Sequence, residues 1–239
     1  MIGMGSNPFF TGTEVSFNDC PLSDFSKGYS LEKINKVDLD RPLAKDMDAV
    51  QNFSNKLEQG RRELTTGEKQ ELKDTLGWGE KQITKCTTGD DGVIYYKTDR
   101  SDLEGKTAEN GVPYERKRIE LNGIQIEGVF PVFQSAVDVT LPLDKYQSRA
   151  YARECNTSLR EVVQSNSELR NHFSREQLQQ IKNGQTPDGY VWHHNEEPGK
   201  MQLVKREDHD RCIGGAAHTG GNALWGPDSI DKSQKGEMF

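Results

Sequence analysis

Four of the chain's five histidines, His193, His194, His209 and His218, fall within 26 residues near the C-terminus. Imidazole is the commonest metal ligand among side chains and the natural general base near pH 7. Tyr190-Val191-Trp192-His193-His194 has the composition of a strand, so the adjacent pair ends it. Neighbouring strand residues point to opposite faces, and His193 and His194 cannot both coordinate one ion from a regular strand. A division of labour fits better: one imidazole binds a divalent ion and the other addresses water from the strand end. That set suffices for phosphodiester hydrolysis. The ion would stabilise charge on the phosphate and leaving oxygen, and the free imidazole would take a proton from the attacking water. Gln202 could hold that imidazole or its loop by hydrogen bonding. Lys200, Lys205, Arg206 and Arg211 flank the cluster and could meet phosphates, whereas Glu196 and Glu197 read as solvated turn residues.

The elements that would position these groups can be read outwards from the cluster. Thr186-Pro187-Asp188-Gly189 is a turn signal, Asn195–Gly199 a second turn, and Met201–Val204 a short second strand. A helix starts within Lys205–Arg211, and a Gly-rich tail follows. Upstream, Leu143 to Lys182 is helical. Tyr146, Ala150, Arg153 and Leu159 begin one helix, a break falls at Ser165–Ser167, and Ser174 with Gln177 forms a capping box before Gly184. His172 reads as a surface or half-buried residue. Asn122-Gly123, set in KRIELNGIQIEGVF (117–130), predicts a β-hairpin. PVFQSAVDVTLPL (131–143) is too punctuated by proline to extend a sheet. Residues 92–98 read as a strand. Thr65 and Glu68 cap a helix whose apolar face is Leu72, Leu76 and Trp78. Another amphipathic helix runs from Ala44 to Gln59, and residues 1–43 read as irregular.

Composition narrows the function classes. Of 239 residues, 32% are hydrophobic, which is lean for a globular chain but not disordered. No apolar run is long enough for a membrane-spanning helix, and the first twenty residues lack a signal peptide's charge and apolar core. The net charge of −7 gives no global basic field for nucleic acid. The segment 187–239 adds none, with nine acidic and six basic residues. Cys20, Cys86, Cys155 and Cys212 form no CxxC pair, which excludes zinc motifs built on such pairs. They read as free thiols of a reducing compartment, Cys212 as a buried one.

The stretch PDGYVWHHNEEPGKMQLVKREDHD…HTGG resembles the WHH group of the HNH/endonuclease VII (His-Me finger) nuclease superfamily, found as C-terminal modules of bacterial polymorphic toxins. LTTGEKQELKDTLGW (64–78), NGIQIEGVFPVF (122–133), ARECNTSL (152–159) and FSREQLQQIKNGQTPDGY (173–190) are similar to the segment that precedes the motif in such toxins. The resemblance thus spans roughly residues 64–226. It implies a ββα-metal finger, one divalent metal ion (Zn, Mg, Mn or Ni) and endonuclease activity. By position it makes His193 the metal ligand of the pair and His194 the general base. His209 and His218 match the later metal-site histidines, and Gln202 falls where many HNH enzymes place an orienting Asn. The last two histidines lie farther apart than in relatives, because Asp210–Ala217 intervenes. His218 could therefore ligate the ion or contact phosphate.

These readings combine into an α+β protein. Residues 1–63 form an N-terminal extension with one helix. Residues 64–186 form a helical and hairpin support region, and 187–239 the nuclease motif and tail. The expected activity is metal-dependent cleavage of DNA with little sequence preference. An RNase on the same site, a non-catalytic metal-containing module and an acidic binding protein are the alternatives. The resemblance also implies a toxin of interbacterial competition, made in the producer cytoplasm and delivered by a specialised secretion component into the target-cell cytoplasm. A cognate immunity protein would neutralise it. No delivery domain is recognisable ahead of the module, so the chain is either a fragment or cargo on another component.

Overall fold

The structure is a computed structural model that describes residues 60–148, 150–216 and 220–229. The expected helix Ala44–Gln59, the segment 1–43 and His218 lie outside the described residues. In chain order the elements begin with β1 (Arg62–Glu63), α1 (Thr66–Leu76), α2 (Glu80–Ile83), β2 (Cys86–Thr88) and β3 (Ile94–Tyr96). A hairpin of β4 (Tyr114–Leu121) and β5 (Ile124–Pro131) follows, then β6 (Ser135–Thr140). Four helices come next: α3 (Leu143–Tyr146), α4 (Tyr151–Ser165), α5 (Ser167–Arg170) and α6 (Arg175–Lys182). The chain continues through β7 (Tyr190–His194), β8 (Lys200–Lys205), α7 (Arg206–His209) and α8 (Gly221–Leu224). This is the expected α+β class.

Local chemistry explains most boundaries. Thr65 and Glu68 exchange the two bonds of a capping box at the start of α1, and Gly77 ends the helix at φ +67°. Trp78, expected on the helix face, instead lies past that glycine. It is fully buried, and its Nε1 donates to the Leu224 carbonyl at 2.8 Å. Asn122 (φ +50°) and Gly123 (φ +84°) make the tight turn between β4 and β5. Ser174 and Gln177 form the second expected capping box, at α6.

The strands form two sheets, one ordered β1-β2-β3-β5-β4 and one ordered β6-β8-β7. β6 corrects the expectation that 131–143 would not join a sheet. The two prolines only bracket it, while Val137 and Val139 alternate inwards and Thr140 to Ser135 pair with Lys200 to Val204 of β8. The start of the long helix is corrected too: Tyr146 sits on the separate turn α3, and α4 begins at Tyr151.

α4 buries Cys155, Leu159 and Val163, four residues apart on one face. They share the main core with Val137, Val139, Trp192, Met201 and Leu203 of the smaller sheet. Trp192 Nε1 donates to Asn156 Oδ1 at 2.8 Å, which ties β7 to α4. A smaller core of Val112, Tyr114, Val129, Phe133, Val204 and Ala216 lies on the other side of the small sheet.

Candidate active site

Strand register sorts the site residues. His193 stands opposite Gln202, and His194 opposite Met201. Cross-strand partners share a face, so His193 and Gln202 point to one side of the small sheet and His194 and Met201 to the other. The two adjacent histidines therefore enter different surroundings, as the alternation requires.

On the first side, His193 is buried, and its Nδ1 lies 3.3 Å from Nε2 of His209. β8 and the single turn of α7 that follows it deliver His209 to this point. Phe133 packs its ring edge-on against His193, with centroids 4.7 Å apart, and stacks on His209 at 5.4 Å. The separation of the two nitrogens suits a shared ion. Two donors each about 2.0–2.1 Å from a tetrahedral metal lie about 3.3 Å apart. In the structure the same approach is a hydrogen bond between the two rings, at the long end of the ordinary range, with the donor set by the tautomer. Among the described residues, no group of three or more His, Cys, Asp or Glu side chains could hold a metal ion, so a protein third ligand would have to come from elsewhere.

Gln202 spends its amide on this same side. Its Oε1 accepts from Asn195 Nδ2 at 3.0 Å, and its Nε2 donates to Asp138 Oδ1 at 3.3 Å. Asn195 Oδ1 in turn accepts from the Glu197 amide at 3.0 Å. Gln202 thus fixes the turn that follows the histidine pair rather than turning towards the His194 face.

On the second side, His194 is buried between aromatic rings. Tyr151 meets it edge-on with centroids 4.3 Å apart, and Trp225 lies at 5.4 Å. Trp225 Nε1 donates to the Glu196 carbonyl at 3.1 Å. Gly221 passes so close that a Cβ there would collide with the Asn195 carbonyl and the Trp225 ring. A glycine is required by this close approach.

The segment from Asp210 to Ala216 is folded back rather than extended. Asp210 caps the 3-10 turn Arg211–Ile213, and Gly214 reverses the chain at φ +87°. The Ala216 amide then donates to the Asp208 carbonyl at 2.8 Å. The insertion therefore returns the chain to the neighbour of His209. Asn110, from the loop before β4, braces the same turn through the Gly214 and Asp208 carbonyls.

Two expectations change. Glu196 is not solvated: its side chain is 4% exposed, and its Oε1 receives Lys117 Nζ at 2.5 Å. Cys212 is exposed and disulfide-bonded rather than a buried free thiol. Cys86 and Cys155 are the buried free thiols, and burial pushes each up to about 12, which makes them poor nucleophiles. His172 is exposed, as expected for a residue outside the site. Sequence reasoning missed Phe133, Lys117, Tyr151 and Trp225. Only Phe133 carried a usable signal, since it closes the segment NGIQIEGVFPVF.

Residues 122–220 match the family model described as the DNase/tRNase domain of colicin-like bacteriocin. The match supports a nuclease toxin domain. It covers less than half of the chain but takes in β5 to α7, and with them His193, His194, Gln202, His209 and the position of His218. Lys117, Asn110 and Trp225, which brace those residues, lie outside it. No curated protein and no solved structure matches the chain. No described helix is long and apolar enough to cross a membrane.

Proposed function

We propose that the chain is a WHH-type, metal-dependent endonuclease toxin that hydrolyses DNA phosphodiester bonds with little sequence preference. The observation that carries this reading is the 3.3 Å approach of His193 to His209 inside the span that matches the colicin-type nuclease model. In this reading the strand, turn, strand and helix of β7, β8 and α7 form a ββα-metal finger. His193 and His209 would hold one divalent ion (Zn, Mg, Mn or Ni). His218, which lies outside the described residues, completes the set on the ion or on a substrate phosphate. A bound ion would supply Lewis-acid stabilisation of charge on the phosphate and on the leaving oxygen.

The chain's own residues do the rest. His194, on the opposite face at the last position of β7, takes the proton from the attacking water. Tyr151 and Trp225 hold its ring in one orientation. Gln202 acts indirectly, by fixing Asn195 and the turn beyond the pair. With no global basic field, attraction to nucleic acid comes from local contacts and from the ion, so affinity in chelator should be modest. The biological partners in this reading are a cognate immunity protein and a delivery component of a specialised secretion system. The toxin acts in the target-cell cytoplasm during interbacterial competition.

Incubation with plasmid and Mg²⁺, Mn²⁺, Zn²⁺ or Ni²⁺, with a chelator control, tests the activity. Nicking and linearisation that the chelator abolishes are expected. An inert protein with every ion, on both DNA and RNA, would contradict the reading. An RNase is the second reading, favoured by the tRNase half of the matched family's description. Cleavage of tRNA but not of plasmid would replace the DNA reading with it.

A further inference from the structure

We propose that Phe133 is a positioning residue for the metal-binding imidazole pair. The inference rests on the reading of His193 and His209 as ligands and goes beyond it to the chain's own support for them. Phe133 sits in the link from β5 to β6, the one connection among the described residues that joins the two sheets directly. Its ring is 6% exposed and touches both imidazoles, one edge-on and one stacked at an interplanar angle of 29°.

Two ligand rings brought from different elements each need their rotation fixed before they can meet one ion. His193 comes from a strand and His209 from a single helical turn with no buried residue of its own. Four residues are too few to hold a ring in place by helix packing alone. The flat contact with Phe133 supplies that restraint for His209, and the edge contact supplies it for His193. Aromatic pairs favour these tilted and offset arrangements, so the ring selects an orientation as well as filling space. Its other side packs with Val129 and Val204 in the minor core, which anchors the ring to both sheets.

The test compares Phe133→Leu, Phe133→Tyr and Val129→Ala in the full chain. Val129 belongs to the same minor core but to neither imidazole contact. Co²⁺ affinity is measured by competition with a chromophoric chelator, together with the visible spectrum of the Co²⁺-loaded protein and the urea midpoint of each variant. Phe133→Leu should bind at least about tenfold more weakly, in the range found when outer partners of metal ligands are removed. Its visible band should also change. Val129→Ala should lower the urea midpoint while leaving affinity and spectrum at wild type, and Phe133→Tyr, which keeps the ring, should restore both. Wild-type affinity and spectrum in Phe133→Leu, or an equal loss of affinity in Val129→Ala, would overturn the proposal. His193→Ala is run beside them: if it binds Co²⁺ as wild type does, the ligand reading itself fails, which is a different result from either.

Discussion

The two faces of the small sheet take consecutive residues into opposite kinds of environment. The His193 face is buried but polar, with a second imidazole at 3.3 Å, an amide chain through Gln202 and Asn195, and Asp138 at its edge. The His194 face is aromatic, with Tyr151 and Trp225 packed against the imidazole. One face presents two nitrogens to a common point, while the other holds one ring still among apolar neighbours. In the proposed reading, a His-His dipeptide in a strand would separate two tasks through nothing more than the alternation of the pleat. The difference also shows why the support for each face comes from a different place: Phe133 serves the first, and α4 with the segment after His218 serves the second.

The largest expected effect separates the faces directly. His194→Ala should lower plasmid cleavage by about 10²–10⁴-fold, the usual range for loss of a general base, while binding metal as wild type does. Loss of metal by that variant would erase the contrast between the faces. Next comes the pair that pins the turn after His194. Lys117→Met leaves the buried Glu196 carboxylate without its cation, and destabilisation of about 3 kcal/mol is expected. Urea denaturation measures it. The double variant Lys117→Met with Glu196→Gln should recover part of that loss, because it removes the stranded charge.

Gln202→Ala should cost about 1 kcal/mol, the ordinary size of a lost hydrogen bond. Its activity should fall less than that of His194→Ala, since Gln202 lies on the other face and works through Asn195. Similar losses of activity in the two variants would place Gln202 in the chemistry. The smallest effect is a control remote from both faces. Burial would raise the Glu127 carboxyl, but hydrogen bonds from Arg116 and Arg118 outweigh it and hold the group below its ordinary 4.5. A lowered folded value means that its stabilisation is present above pH 4.5 and drains away as the pH falls below it. The thermal midpoint of wild type should therefore drop on acidification through that point, and Glu127→Gln should flatten the decline.

Local signals were legible and distant partners were not. The Asn122-Gly123 turn and the two capping boxes are written in neighbouring residues, and the structure carries each of them. The opposed faces of His193 and His194 followed from strand period alone. β6 was obscured because its flanking prolines are local while its partner, β8, lies some sixty residues on. Glu196 looked like any turn carboxylate, since Lys117 is 79 residues away in sequence. Phe133 has the same difficulty in another form. An aromatic in an apolar segment reads as core, and only the meeting of β7 and α7 around it reveals the contact with both rings.

The central claim is that His193 and His209 hold one ion and that His194, its neighbour in sequence, does not. Anomalous diffraction from crystals grown with Zn²⁺ or Ni²⁺ tests it most directly. The account predicts a peak about 2.0–2.1 Å from both His193 Nδ1 and His209 Nε2, with no metal on His194. A peak coordinated by His194, or one that leaves His193 and His209 unligated, would contradict it.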